Sequence, residues 1–191
     1  NVFDIFCGAG GLSLGLEQAG LDVKWASDIW NEASLTYKEA FRKTTFIKED
    51  AQELLRMALG SENLLPSKGD IDVLVGGPPC QGFSGYNRYR SPDDPRNSMI
   101  EVFLNLVEFW EPKFVLIENV PGMLSMDDGN VVRLALSTLN EIGYTTQLKI
   151  LQAGAYGLPQ SRWRVFIAAY KFKNFTFPEP THYFQHSAIF G

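Results

Sequence analysis

The chain has 191 residues, 45% hydrophobic and 20% charged, with a formal net charge of −5 at pH 7. That length suits one domain core, the composition is that of a soluble globular protein, and no charge-free run of about 20 residues offers a helical membrane span. The acidic sum argues against a self-sufficient nucleic-acid binder, which needs clustered Lys and Arg.

The opening NVFDIF has no basic start, no apolar core segment and no cleavage-like site, so it is not read as a secretory or transit peptide. A chain that opens inside a strand is read as a cut piece of a longer protein. The two cysteines, Cys7 and Cys80, sit in unrelated motifs, which speaks against a disulfide framework and for a reducing, intracellular setting. The basic residues gather locally, with Arg88, Arg90 and Arg96 following Cys80, and Arg162 and Arg164 forming a second pair.

In chain order, residues 1–6 predict a strand that ends in FCGAGG, followed by a helix over 11–20 that Gly20 stops. A second strand, 22–28, ends in SDIW, and 31–42 follows as a helix. The third strand, 44–50, ends in KEDAQ and leads into a helix over 50–59 closed by Gly60. Strand four, 70–77, runs into GGPPCQGFSGYNR, and a helix over 97–111 begins at Asn97. Strand five, 113–119, ends in ENVPG, and a helix over 128–142 runs from Asp128 to a stop at Gly143. Strands six (145–152) and seven (163–170) are joined only by QAGAYGLPQSR, so one of them is expected to run antiparallel. Alternating strands and helices of this kind predict an α/β domain with a doubly wound, mostly parallel sheet, and beyond residue 171 the chain turns irregular and aromatic.

Ligands of such sheets bind outside the carboxyl ends of the strands, so the residues at those ends carry the functional reading. Gly8, Gly10 and Gly11 at a strand-to-helix turn allow a ligand to approach the backbone, or simply allow tight packing. Asp28 stands where nucleotide-binding folds place an acid on ribose hydroxyls; it equally suits a helix N-cap. Asp50 suits a cap or an acceptor for an adenine amino group. Together they favour an adenosine-containing cofactor, and the lack of a G-x-x-x-x-G-K-[ST] cradle removes a nucleoside triphosphate, leaving a dinucleotide or S-adenosylmethionine.

Cys80 follows Pro78 and Pro79, which stiffen its approach, and its Gly and polar neighbours do not describe a core position. Glu118 ends an apolar strand and would enter a partly desolvated site, where it could hold and donate a proton; its alternative is a strand-end carboxylate on backbone amides. Asn119 offers an amide beside it. Arg162 and Arg164 alternate along a strand and therefore share a face opposite Trp163, either as a solvated edge or as forks for phosphate and base oxygens.

DIFCGAGGLSLGLEQAG, GGPPCQGFSGYNR, FVLIENVPGML and QAGAYGLPQSRWRVFI, in this order, closely resemble the DNA (cytosine-5)-methyltransferases over residues 3 to 182. The Asn-Arg pair after PPCQGFSG, and FPEPTHYF near the end, are more similar to eukaryotic maintenance and chromomethylase-type catalytic regions than to bacterial restriction-associated enzymes. The resemblance implies a Rossmann-like methyltransferase fold over 1–182, with 183–191 as an exit segment, and a nuclear location. It implies that Cys80 adds to carbon-6 of a cytosine turned out of the DNA duplex, that Glu118 engages N3 and the exocyclic amine, and that Arg164 orients the base, with Arg162 nearby. S-adenosylmethionine would lie over Phe6, Cys7, Gly8, Gly10, Gly11 and Leu12, with Asp28 on the ribose and Ile29, Asp50 and Ala51 about the adenine, and Pro79 would also bind the cofactor. Gln81, Ser84, Arg88 and Asn119 would meet substrate or DNA, and no metal is implied.

Where the family usually has Glu, this chain has Asp28, so the ribose contact would be weaker or water-mediated. The family's target-recognition region and a helix that completes the cofactor pocket are expected after residue 182, so the fragment is expected to be weakly active or inactive alone, the missing part lying in cis or in a partner chain. Two other readings stand beside this one: a tRNA cytosine-5 methyltransferase of related chemistry, and a non-catalytic scaffold that keeps the fold.

Overall fold

The computed structural model describes residues 1–60, 64–79, 98–171 and 175–182. Among these, seven strands form one sheet: β1 (Val2–Ile5), β2 (Val23–Ser27), β3 (Thr45–Ile47), β4 (Val73–Gly76), β5 (Phe114–Asn119), β6 (Thr145–Gln152) and β7 (Trp163–Tyr170). Their order is β3-β2-β1-β4-β5-β7-β6, parallel from β3 to β5, with β7 antiparallel to both of its neighbours. Five helices alternate with the strands: α1 (Gly11–Gln18), α2 (Asn31–Ala40), α3 (Ala51–Leu59), α4 (Met99–Trp110) and α5 (Asn130–Glu141). The fold is the doubly wound, mostly parallel Rossmann-like sheet expected from the alternation of elements, with the antiparallel strand among the last two.

Each β1 residue is buried, and successive side chains go to opposite faces. Phe3 and Ile5 enter the main core with Leu54 of α3, Phe103 and Trp110 of α4, and Leu139 of α5. Val2 joins Val23 and Val75 in a separate cluster, with Leu16 of α1 packed against it. A strand apolar on both sides is what helices on both faces require. Trp110 is fully buried, its ring 5.2 Å from that of Phe3, and its indole N–H donates to Pro66 O at 3.0 Å, so the apolar burial leaves no unpaired donor. β4 ends at Gly76, where only glycine fits: a Cβ there would lie 2.5 Å from Ile5 O and 2.8 Å from the Phe103 ring.

Helix starts were the less legible part. Asn97 lies outside the described residues, and α4 is capped by Ser98, whose side chain accepts from Glu101 N while Glu101 Oε2 accepts from Ser98 N at 2.7 Å. This reciprocal pairing is the S-x-x-E box visible in SMIE, worth about 1 kcal/mol.

Asp128 does not start α5. Gly129 is its N-cap, and Asp127, Asp128 and Gly129 are three successive left-handed residues with φ of 48°, 53° and 79°. Asp tolerates this region better than most side chains. Asp128→Ala is expected to cost about 1 kcal/mol and Asp128→Gly less, readable as the urea midpoints of the two variants.

The chain after β7 turns back across the sheet edge. Gln147 Nε2 donates to Phe175 O at 2.7 Å, and the backbone amides of Thr181 and His182 both donate to Ala155 O, at 2.9 and 3.0 Å. No described helix is long and apolar enough to cross a membrane.

Candidate active site

The strand order reverses between β1 and β4, so their carboxyl ends part and leave a crevice. Because β7 runs antiparallel, its first residues arrive at the edge where β1, β4 and β5 finish. A cavity of about 580 Å³ opens there. Phe6 and Cys7 follow β1, Gly11 and Leu12 begin α1, Gly77 follows β4, and Glu118, Arg162 and Arg164 complete its polar wall.

Glu118 Oε1 lies 2.8 Å from Arg164 Nε and 3.4 Å from Arg162 Nη2. The Glu118 and Arg164 side chains are each 21% exposed, so this pair is partly withdrawn from water. Its second oxygen, Oε2, faces Gly77, where an added Cβ would lie 3.3 Å away. Arg164 Nη1 donates to Trp163 O at 2.7 Å, which fixes the guanidinium plane. Trp163 itself is 53% exposed and does not line the cavity, as strand alternation requires.

Asn119 does not share this wall. It is buried, its Nδ2 donates to Pro78 O at 2.7 Å and its Oδ1 accepts from Val120 N at 2.9 Å. Adjacent residues of a strand face opposite ways, so the Asn119 amide lies on the other face from Glu118 and ties the end of β5 to Pro78 after β4. Cys80, Gln81, Ser84 and Arg88 lie outside the described residues.

A second cavity of about 300 Å³ adjoins the first through Phe6 and is lined by Asp28, Ile29, Asp50, Ala51 and Pro79. Both Asp28 oxygens accept from backbone: Oδ2 from Gly8 N and Oδ1 from Trp30 N, each at 2.8 Å. Trp30, not Asp28, is the N-cap of α2. Asp50 caps α3 through Oδ1, which accepts from Glu53 N at 2.7 Å, and also lines the cavity.

The glycine turn explains the open approach. Gly10, with φ of 94°, is the N-cap of α1, and a Cβ there would strike the Phe41 ring at 2.2 Å. Gly10 brings no side chain to cap α1, and Gly11 and Leu12 of its first turn line the cavity. Gly8 and Gly10 line neither cavity; they shape the turn that Cys7, Gly11 and Leu12 present. Cys7 is buried, and that burial pushes its thiol well above the usual range, which makes it inert.

Beneath the turn, Tyr37 OH, Ser13 Oγ and Asp4 form a buried chain with separations of 2.7 and 2.6 Å. Asp4 Oδ1 has no hydrogen-bond partner. Burial, opposed by the Ser13 bond, raises the Asp4 pKa to about 7. The folded state therefore keeps a proton that the unfolded chain releases from about pH 4 upward, so stability falls between about pH 4 and 7 and is level above. Asp4→Asn is expected to remove a few kcal/mol of that slope, measured as urea stability against pH for the two proteins.

Sequence reasoning missed Tyr156, Leu158 and Gln160 of the β6–β7 connection on the larger cavity, and Glu49, Gln52 and Met99 on the smaller. The QAGAYGLPQSR link, with its Gly-Pro punctuation at a strand end, held the signal for the first three.

A family model described as C-5 cytosine-specific DNA methylase matches residues 1–188. The chain is 41% identical over 97% of its length to DNA (cytosine-5)-methyltransferase PliMCI of Paracentrotus lividus, covering 12% of that protein. It is equally 41% identical over 95% of its length to the type II methyltransferase M.AgeI of Thalassovita gelatinovora, covering 42% of it. Among solved structures, a candidate DNA modification methyltransferase encoded within an E. coli prophage superposes with a TM-score of 0.72 at 35% identity, over 90% of this chain and 46% of that one. The chain thus spans less than half the length of these relatives. By sequence match and by sheet topology, it belongs to the C-5 cytosine-specific DNA methylase family.

Proposed function

We propose that these residues form the catalytic part of a DNA (cytosine-5)-methyltransferase that methylates carbon-5 of a cytosine turned out of the duplex, through a covalent adduct on Cys80. The observation that carries this reading is the Glu118–Arg164–Arg162 cluster on one cavity wall, opposite the glycine turn and next to an adenosine-sized cavity.

The family's methyl donor is S-adenosylmethionine. The chain's residues fit it: Phe6 is shared by both cavities, Asp28, Ile29, Asp50 and Ala51 surround the smaller one, and Gly11 and Leu12 at the start of α1 line the larger. When bound, it supplies an electrophilic sulfonium methyl group. The Cys80 thiolate adds to carbon-6, while Glu118 holds N3 and the exocyclic amine so that negative charge does not build up in the ring. The Arg164 fork orients the base and Arg162 stands beside it. Carbon-5 would thereby become nucleophilic toward the sulfonium methyl, with S-adenosylhomocysteine as the leaving group. Loss of the carbon-5 proton to solvent then expels the Cys80 thiolate and restores the aromatic ring. Extruding the base costs about a few kcal/mol, repaid by these contacts.

We assign 1–182 to the catalytic unit, because the segment to His182 is bonded back onto Ala155 and Gln147, and 183–191 to an exit segment. Recognition of the target sequence is assigned to protein outside these residues, in cis or in a partner chain, and the 191 residues alone to weak or no methylation. We assign the chain a nuclear location, a reading supported by its similarity to the methyltransferase of Paracentrotus lividus.

The test is covalent trapping on duplex DNA carrying 5-fluorocytosine with S-adenosylmethionine, in which the fluorine cannot leave. With a target-recognition region of a relative supplied, a denaturation-stable DNA complex is expected. Equal or better trapping on RNA would favour the tRNA reading, and none on either would favour the scaffold.

A further inference from the structure

The turn between β1 and α1 has an unfavourable shape. Phe6, Gly8 and Gly10 have φ of 61°, 53° and 94°, three left-handed residues within five. For a bulky residue such as Phe6 this conformation persists only where the surroundings over-determine it. Two bonds reach the turn from the end of β2: Cys7 N donates to Ser27 O at 3.1 Å, and Gly8 N donates to Asp28 Oδ2 at 2.8 Å. Asp28 is the one described side chain that accepts from an amide of this turn. Its remaining oxygen, Oδ1, accepts from Trp30 N at 2.8 Å, so the same carboxylate also orders the entry to α2.

An acid that grips a ribose diol presents one oxygen to each hydroxyl. Each oxygen of Asp28 already accepts one backbone amide, which turns the carboxylate toward the turn and the α2 entry and leaves a diol only the second acceptor site of each oxygen. We propose that Asp28 is a positioning residue, a clamp that holds the β1–α1 turn in the shape that receives the adenosyl group, and that this chain reads the ribose hydroxyls only weakly. The proposal rests on the S-adenosylmethionine reading and deepens it. Ring and sulfonium recognition then falls to Ile29, Asp50 and Ala51 and to the turn itself, with Asp28 acting through Gly8.

The experiment has two arms on the same chain. Hydrogen exchange of a peptide covering residues 6–11 reads the clamp without any ligand. Titration with S-adenosylhomocysteine and its 2′-deoxyribose analogue reads the hydroxyl contact. The native protein is expected to bind the two ligands within about 3-fold, whereas losing a hydrogen bond to a charged group ordinarily costs about 10- to 100-fold. Asp28→Asn is expected to speed exchange in 6–11 and to weaken both ligands alike. Asp28→Glu, which reaches further, is expected to loosen the turn but to gain at least about 10-fold preference for the riboside. The proposal is overturned if the native chain already prefers the riboside 10-fold, or if Asp28→Asn leaves exchange in 6–11 unchanged. With the C-terminal region of a relative supplied, failure of every variant to bind either ligand would overturn the cofactor reading instead, and the exchange arm would still decide the clamp.

Discussion

With the target-recognition region of a relative supplied, here and for the next variant, replacing Cys80 by alanine is expected to lower methyl transfer by about 10⁴-fold or more, the scale seen when a covalent nucleophile is removed, and to abolish trapping on 5-fluorocytosine DNA. Serine should rescue neither, because its hydroxyl is a far weaker nucleophile than a thiolate. The chain's other cysteine cannot substitute. Cys7 is buried against Tyr37 and Phe41, and burial raises its thiol pKa, so it stays protonated. Cofactor affinity should survive in Cys80→Ala, since the described adenosine cavity is lined by Phe6, Asp28, Ile29, Asp50, Ala51 and Pro79. Calorimetry with S-adenosylhomocysteine beside a methyl-transfer assay separates the two effects. Retained transfer in Cys80→Ala would rule out a covalent route.

Glu118→Gln is expected to cost about 10²- to 10⁴-fold in methyl transfer, the range of a positioned acid–base group. The variant keeps the shape of the side chain but removes the charge against which Arg162 and Arg164 are arranged. Its amide can no longer exchange a proton with N3, so carbon-5 loses its activation while the thiol remains. Trapping on 5-fluorocytosine should therefore slow rather than vanish, and cofactor affinity should hold, as Glu118 lines only the larger cavity. A loss below 10-fold would mean that Glu118 is a structural anchor for the two arginines and not a partner of the base.

The strands and the site edge were legible in the sequence for one reason. Apolar runs such as IDVLV and KFVLIE have to be buried on both faces, and the marked residues stand directly after them. Helix starts were harder, because Asn97 and Asp128 are as good caps by type as Ser98 or Gly129; only the Glu101 partner and the left-handed run at 127–129 decide between them. Strand alternation, which the sequence shows for Arg162 and Arg164, also sets Asn119 on the face opposite Glu118, where its amide bonds Pro78 O and Val120 N. The bonds of Asp28 to Gly8 and Trp30 cross between separate elements, which spacing along the chain does not reveal.

The most direct measurement is a crystal structure of the chain with S-adenosylhomocysteine and a cytosine nucleotide. The account predicts the Cys80 sulfur and the Glu118 carboxyl on opposite edges of a single pyrimidine, with the nucleoside sulfur above carbon-5. A thiol pointing to the other face of the sheet, or bulky side chains filling the space between Phe6 and Gly77, would contradict it.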